Sequence, residues 1–198
     1  MDSRPSVLNA ARIARNIRQT NLFLDSYPSQ VHFLMIDKCN AKCIMCGGDY
    51  FKSRSNKKIT LEKFKRMAAN LKLENVQSVC LAGAGDPLLN HDLVPILAYL
   101  KESYPDLKKS ITTNGIALTG KLASQLLDHG LDIINVSVNA SSREEYRRIM
   151  QVDCFEKVCH RIETFSKMRR ETGRGAIVQV SSVLSRLNIQ GLPALIEL

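Results

Sequence analysis

The segment Cys39-Asn40-Ala41-Lys42-Cys43-Ile44-Met45-Cys46 places three thiols within eight residues. Thiolate is the soft ligand that selects iron-sulfur clusters, zinc or copper(I), and a cubane cluster ordinarily takes one cysteine per iron. Three thiols leave one iron of such a cube for a ligand that is not protein. Zinc would need a fourth ligand, usually from a second Cys/His pair further along the chain. No second pair follows: His91, His129 and His160 stand singly, and the spacing of Cys154 and Cys159 fits a helix face better than a chelate. The spacing therefore favours a three-cysteine cluster on Cys39, Cys43 and Cys46 over the alternatives, a zinc site or a redox thiol.

Six cysteines in 198 residues, with no secretory signal and no regular framework spacing, argue for a reducing, cytoplasmic compartment. The remaining three read as core residues, Cys80 in an apolar run and Cys154 and Cys159 in a helical pattern. With 44% hydrophobic residues and no long uncharged apolar stretch, the composition predicts an ample core and no membrane span. The net charge of +9 admits a nucleic-acid or acidic-protein partner. Its basic residues are dispersed, however: Arg12, Arg15 and Arg18 near the start, Lys52, Arg54, Lys57 and Lys58 after the cysteines, and Arg169, Arg170 and Arg174 at the end of a later helix. With 6% aromatic residues and no basic stripe among them, a solvated surface is favoured over a nucleic-acid groove.

The elements that must position the thiols follow from periodicity. Residues 1–29 read as an N-terminal extension. From Ser3 to Leu24 there is no acid, and Val7, Ala10, Ile13, Ala14 and Ile17 recur at helical spacing between arginines. That is the pattern of an amphipathic helix packed outside the domain, and a mitochondrial presequence shares it. Residues 30–198 alternate strand and helix. Buried strands are predicted over Val31–Asp37, Val76–Ala82, Lys109–Thr113, Asp132–Val138 and Ala176–Leu184. Helices are predicted from Thr60 to Leu71, after Asn90, and from Thr119 to Gly130. Capping boxes at Ser141-x-x-Glu144 and Asp153-x-x-Glu156 open two more, the second stopping at Gly173, and a last helix starts near Leu192.

Strands with near-continuous apolar runs, each followed by a helix, mean a parallel sheet covered by helices. No Gly-x-Gly-x-x-Gly joins the first strand to its helix, so an open dinucleotide-binding sheet loses ground to a barrel or partial barrel. In Asn135-Val136-Ser137-Val138-Asn139 the polar side chains alternate with valines and face one way, and Gln179 and Ser181 repeat this. Polar residues toward the ends of barrel strands point to a ligand-lined lumen; mutual pairing or bound water is the alternative. Gly83-Ala84-Gly85-Asp86-Pro87-Leu88 and Thr112-Thr113-Asn114-Gly115 lie at the ends of other strands. The glycines permit close backbone approach to a ligand, and Asp86 offers a carboxylate to an ammonium.

Taken in order, these motifs resemble the radical S-adenosylmethionine (radical SAM) enzymes: Cys-x3-Cys-x2-Cys after the first strand, a glycine-rich segment after the second, an Asn-Gly turn after the third and a Ser-x-Asn edge on the fourth. The likeness covers Val31 to Leu198 and is closest to the branch of molybdenum-cofactor cyclases and SPASM-type peptide-modifying enzymes. The resemblance implies an α/β fold, a partial (β/α) barrel truncated after the fifth strand and helix. It implies a [4Fe-4S] cluster on Cys39, Cys43 and Cys46, with S-adenosylmethionine on the open iron. Gly83, Ala84, Gly85 and Asp86 would receive the methionyl ammonium. Ser137 and Asn139 would contact ribose or carboxylate, with Asn114 nearby and Arg147 or Arg148 as a carboxylate partner. Met45 stands in the cofactor site where the family usually has an aromatic, and Asp86 stands where Glu is more frequent. The implied partners are a peptide or small-molecule substrate and an electron donor such as flavodoxin or ferredoxin. A non-catalytic scaffold and a zinc or redox-thiol module are the rival readings.

Overall fold

The computed structural model describes residues 5–47, 57–173 and 175–197. Lys52, Arg54 and Arg174 lie outside the described residues. Five strands, β1 (Gln30–Leu34), β2 (Ser78–Ala82), β3 (Lys108–Thr113), β4 (Ile133–Ser137) and β5 (Ile177–Ser181), pair in parallel in their order along the chain. An order without reversal keeps right-handed crossovers on one face, whereas a doubly wound sheet reverses and places helices on both. The expected partial (β/α) barrel is therefore the architecture found.

The helices are α1 (Pro5–Arg18), α2 (Leu61–Leu71), α3 (Leu93–Ser103), α4 (Gly120–Asp128), α5 (Arg143–Met150), α6 (Phe155–Thr172) and α7 (Leu192–Ile196). In α2, apolar residues at helical spacing bury Phe64 and Ala68, and Thr60 Oγ1 caps the start by accepting the Lys63 N–H at 3.3 Å. Thr119 caps α4 on Leu122 in the same way. Past α4 and α6, Gly130 and Gly173 take positive φ, the conformation that ends a helix at no steric cost. One core joins α2, α3, α4, α5 and α6 to Phe33, Val79, Leu81, Ile111, Ile134 and Val136 on the outer face of the sheet. Each fully buried aliphatic or aromatic side chain there contributes on the order of 2 kcal/mol.

Four local expectations are corrected. First, β1 stops at Leu34, because Met35 donates to Ala82 O while Ile36 turns into an antiparallel bridge with Lys58, on the return limb of the cysteine loop. Second, β5 stops at Ser181, because Asn139 Oδ1 captures the Val183 N–H at 2.8 Å. Third, the capping register of α5 lies one residue later. Ser142 Oγ accepts the Glu145 N–H, and Glu145 Oε2 accepts the Ser141 N–H at 2.7 Å. At α6 the cap position falls to Cys154 without a side-chain bond, since Asp153 is held by Arg143 Nε and NH2 at 2.8 and 2.7 Å. Fourth, α1 turns its polar side inward. Asn9 and Asn16 are buried, and Asn9 makes paired bonds with the Tyr27 backbone at 2.9 and 2.7 Å, while Ile17 is 71% exposed. Two buried carboxamides satisfied by the following turn outweigh the apolar stripe, because leaving them unpaired would cost more than exposing a few methyl groups.

Candidate active site

The three cysteines lie on the loop that leaves β1, at the carboxyl edge of the sheet. Cys39 and Cys43 are half-buried and Cys46 is exposed. Asn90, itself buried, donates Nδ2 to Met35 O at 3.0 Å and to Ile59 O at 2.9 Å, so one side chain holds the outgoing and returning limbs together. On its far side the loop leans on the last turn of α5. Lys42 N–H donates to Met150 O at 3.2 Å and Ile44 N–H to Ile149 O at 2.9 Å. Carbonyls in the last turn of a helix lack intrahelical partners, and here the cysteine loop supplies them. Cys43 Sγ lies 3.5 Å from Met150 Sδ, and Cys46 closes a turn on Cys43 O. Met45, 37% exposed, sits just before that last thiol.

The glycine-rich segment packs on this loop through backbone. A Cβ on Gly85 would stand 1.9 Å from Lys38 O, and one on Gly83 would stand 2.9 Å from Ile36 O. Gly85 and Asp86 donate their N–H groups to Ile36 O and Lys38 O at 3.0 and 2.8 Å. The close approach that these glycines permit is thus first of all to the cysteine loop. Among the described residues the carbonyls of Gly83, Ala84 and Gly85 accept no hydrogen bond, and these residues remain partly exposed. The Asp86 carboxylate is buried and points inward. It accepts from Leu88 N–H at 3.0 Å, Thr113 Oγ1 at 2.8 Å and Asn114 N–H at 2.8 Å. Burial pushes its carboxyl above the ordinary value against the pull of those three donors.

The inner face of the sheet carries the alternating polar residues. Thr112, Asn135 and Gln179 share one row, and Ser137 and Ser181 the row nearer the cysteine loop. Ser137 is half-buried, and Asn135 Oδ1 is buried without a partner among the described residues. Other expected contacts are drawn elsewhere. Asn139 is buried, with Nδ2 3.3 Å from Met150 Sδ and Oδ1 on Val183 N–H. Arg148 is exposed and donates to Leu187 O at 2.5 Å, while Arg147 Nε lies 3.8 Å from Asp153. Sequence reasoning missed Met150 as a neighbour of Cys43 and Asn90 as the clamp. It also missed Asn188, whose Nδ2 joins Asn139 O to Val183 O at 3.1 and 2.9 Å. The signal for the two asparagines was an amide placed among apolar neighbours.

No disulfide forms among the described cysteines. Among the described residues no three His, Cys, Asp or Glu side chains converge as a single metal ion requires. A lone zinc needs that convergence, whereas a cluster spreads its thiolates over separate irons. The donor set, three thiols on one loop beside carbonyls that accept no bond among the described residues, fits an iron-sulfur cluster with one iron left for an amino-acid-like ligand. Tyr146, fully buried with its hydroxyl unpartnered among the described residues, stays protonated. Burial raises its pKa most, followed by the thiols of Cys154 and Cys43. Among the described residues no helix is long and apolar enough to cross a membrane.

The chain is similar to the GTP 3',8-cyclase of Aliarcobacter butzleri, 30% identical over 153 residues that make up 74% of this chain and 46% of that protein. It is 38% identical to a probable GTP 3',8-cyclase of Saccharolobus islandicus over 133 residues, 64% of this chain and 40% of that one. It thus spans less than half the length of either relative. In fold it matches Streptococcus suis SuiB, solved bound to precursor peptide SuiA, with a TM-score of 0.71 at 18% identity over 95% of this chain and 39% of that one. It also matches anSMEcpe with bound AdoMet, with a TM-score of 0.65 at 18% identity over 86% of this chain and 48% of that one. The sequence profile of the Radical SAM superfamily runs over residues 33–196, from the strand that launches the three-thiol loop to the last helix, and the chain belongs to that superfamily.

Proposed function

We propose that this chain acts as a radical SAM enzyme on a peptide or small molecule, in peptide or protein modification or in cofactor biosynthesis. Members of the superfamily bind a [4Fe-4S] cluster and S-adenosylmethionine. Bound together, these cofactors supply one-electron reductive cleavage of the sulfonium to methionine and a 5'-deoxyadenosyl radical, which abstracts hydrogen from substrate. The observation that carries the reading is the placement of three cysteines on one loop at the carboxyl edge of a parallel sheet with no strand reversal.

The chain's residues divide the remaining work. Cys39, Cys43 and Cys46 hold the cluster. The carbonyls of Gly83, Ala84 and Gly85 accept the methionyl ammonium, and Asp86 keeps that segment against the cysteine loop. Ser137 reaches ribose or carboxylate from the inner face, and Met45 flanks the site beside Cys46. Asn114, Asn139 and Arg148 act at one remove, because their side chains are engaged within the protein. The inner row of Thr112, Asn135 and Gln179 offers uncharged hydrogen-bonding groups to substrate. The electron comes from a flavodoxin or ferredoxin, a class of acidic donor that the net charge of +9 favours. Six cysteines without regular framework spacing support a cytoplasmic location. Residues 1–29 serve as an extension to a core over 30–198.

Anaerobic iron-sulfur reconstitution tests the reading, with EPR of the dithionite-reduced protein with and without S-adenosylmethionine. The expected result is a reduced-cluster signal that changes on adding S-adenosylmethionine and is absent from the Cys39/Cys43/Cys46 triple alanine variant. A cluster indifferent to S-adenosylmethionine would favour an inert scaffold, and zinc without iron would overturn the reading.

A further inference from the structure

The carboxamide of Asn114 has its orientation fixed. Its Oδ1 accepts the Ile116 N–H at 2.9 Å, which determines which way round the amide lies and turns both Nδ2 hydrogens toward the cysteine loop. There Nδ2 lies 2.8 Å from Asn40 Oδ1 and 3.5 Å from Cys39 Sγ. Asn114 is buried, and its backbone N–H donates to Asp86 Oδ2 at 2.8 Å. Asp86 in turn donates its own N–H to Lys38 O at 2.8 Å, the carbonyl directly before Cys39. The thiol and the amide directed at it are therefore positioned from one residue.

A thiolate bound to a cluster gains negative charge when the cluster is reduced. An N–H dipole aimed at that sulfur stabilises the reduced form more than the oxidised one, and it acts strongly where water is excluded. We propose that Asn114 is a positioning residue that eases one-electron reduction of the cluster through its Nδ2–H···Sγ bond to Cys39, with Asp86 holding the two in register. The inference rests on the cluster assignment above and adds to it a side chain outside the ligand set that shifts the potential, beside the Ala41 N–H that also lies 3.5 Å from Cys39 Sγ.

The test is an anaerobic potentiometric titration of the reconstituted protein, followed by EPR, comparing wild type with Asn114→Leu and Asn114→Asp. Leucine removes the donor at similar volume. Aspartate keeps an oxygen for the Ile116 N–H, so the turn survives, and replaces the donor by a second oxygen. Both variants are expected to retain iron and to shift the reduction equilibrium against the reduced cluster by about tenfold, which is 59 mV for one electron. A potential in Asn114→Leu within twofold of wild type would overturn the proposal and leave the cluster assignment standing. Loss of iron from both variants, with wild type loaded, would assign Asn114 a purely structural part and also overturn it. A wild type that binds no cluster removes the assignment itself, a result read before any variant is compared.

Discussion

At Gly85 a side chain and a neighbouring carbonyl compete for one space. The Cβ of alanine would stand 1.9 Å from Lys38 O, and that oxygen is also the acceptor of the Asp86 N–H at 2.8 Å. Neither loop can withdraw without breaking the bond that joins them. Overpacking typically costs about 1–3 kcal/mol and more where backbone must move. Gly85→Ala should therefore lose about 3 kcal/mol or more of stability, together with most of the iron the protein takes up. Gly120, the first residue of α4, is the contrast, with nothing within 4 Å of its Cβ position. There Gly120→Ala should gain about 0.4–1 kcal/mol by restricting the unfolded chain. Urea unfolding and iron analysis of the two variants check the pair. Equal losses at both sites would mean that Gly85 is needed for chain freedom and not for loop contact.

Among the elements, the described limbs of the cysteine loop are held by side-chain anchors from other parts of the fold. On its returning limb, Lys58 Nζ donates to Asp92 Oδ2 at 2.7 Å and Leu61 N–H to Asp92 Oδ1 at 3.3 Å, just ahead of α3. The Lys58 bond, then the Leu61 N–H, holds the Asp92 carboxyl below its ordinary value of 3.8. Unfolded Asp92 titrates near that ordinary value, so between the two values the unfolded chain binds more protons. The stabilisation is complete above the unfolded value and is lost as pH falls through the folded one. Thermal melting of the wild type should therefore decline more steeply below about pH 4 than that of Asp92→Asn, which has no proton to take up there. Parallel curves would show that this anchor contributes nothing in acid.

The same loop shows what a sequence can and cannot disclose about elements. Strand order was legible, because five apolar runs alternate with helical patterns and connections prefer one hand. Strand ends were not: β1 and β5 end where Ile36 meets Lys58 and where Asn139 meets Val183, contacts made across the fold. The three thiols announce themselves within eight residues. Their supports do not, since Asn114 reaches Cys39 over 75 positions, Met150 reaches Cys43 over 107 and Asn90 reaches Met35 over 55. The inward face of α1 was misread because the helical pattern counts methyl groups and gives no weight to an asparagine that finds two backbone partners.

In the molecule as a whole, the two faces of the sheet differ in chemistry, one apolar and one polar. Ile134 and Val136 of β4 point outward into the core and are buried, whereas Asn135 between them points inward. Asn135 Oδ1 is a buried acceptor with no partner among the described residues, an arrangement that costs stability unless a group beyond them or a water completes it. The two faces should therefore respond oppositely to substitution. Ile134→Ala removes buried methyl groups and should cost about 2–5 kcal/mol. Asn135→Val removes the unsatisfied acceptor, suits a strand, and should leave stability unchanged or raise it by up to about 1 kcal/mol. Denaturant unfolding of both variants measures the contrast. If Asn135→Val were as damaging as Ile134→Ala, the inner face would be a second structural core, and the substrate would have to be sought away from the lumen. If the variant is stable, the polar row is free of any folding duty, which is the outcome the proposed binding role of the inner face requires.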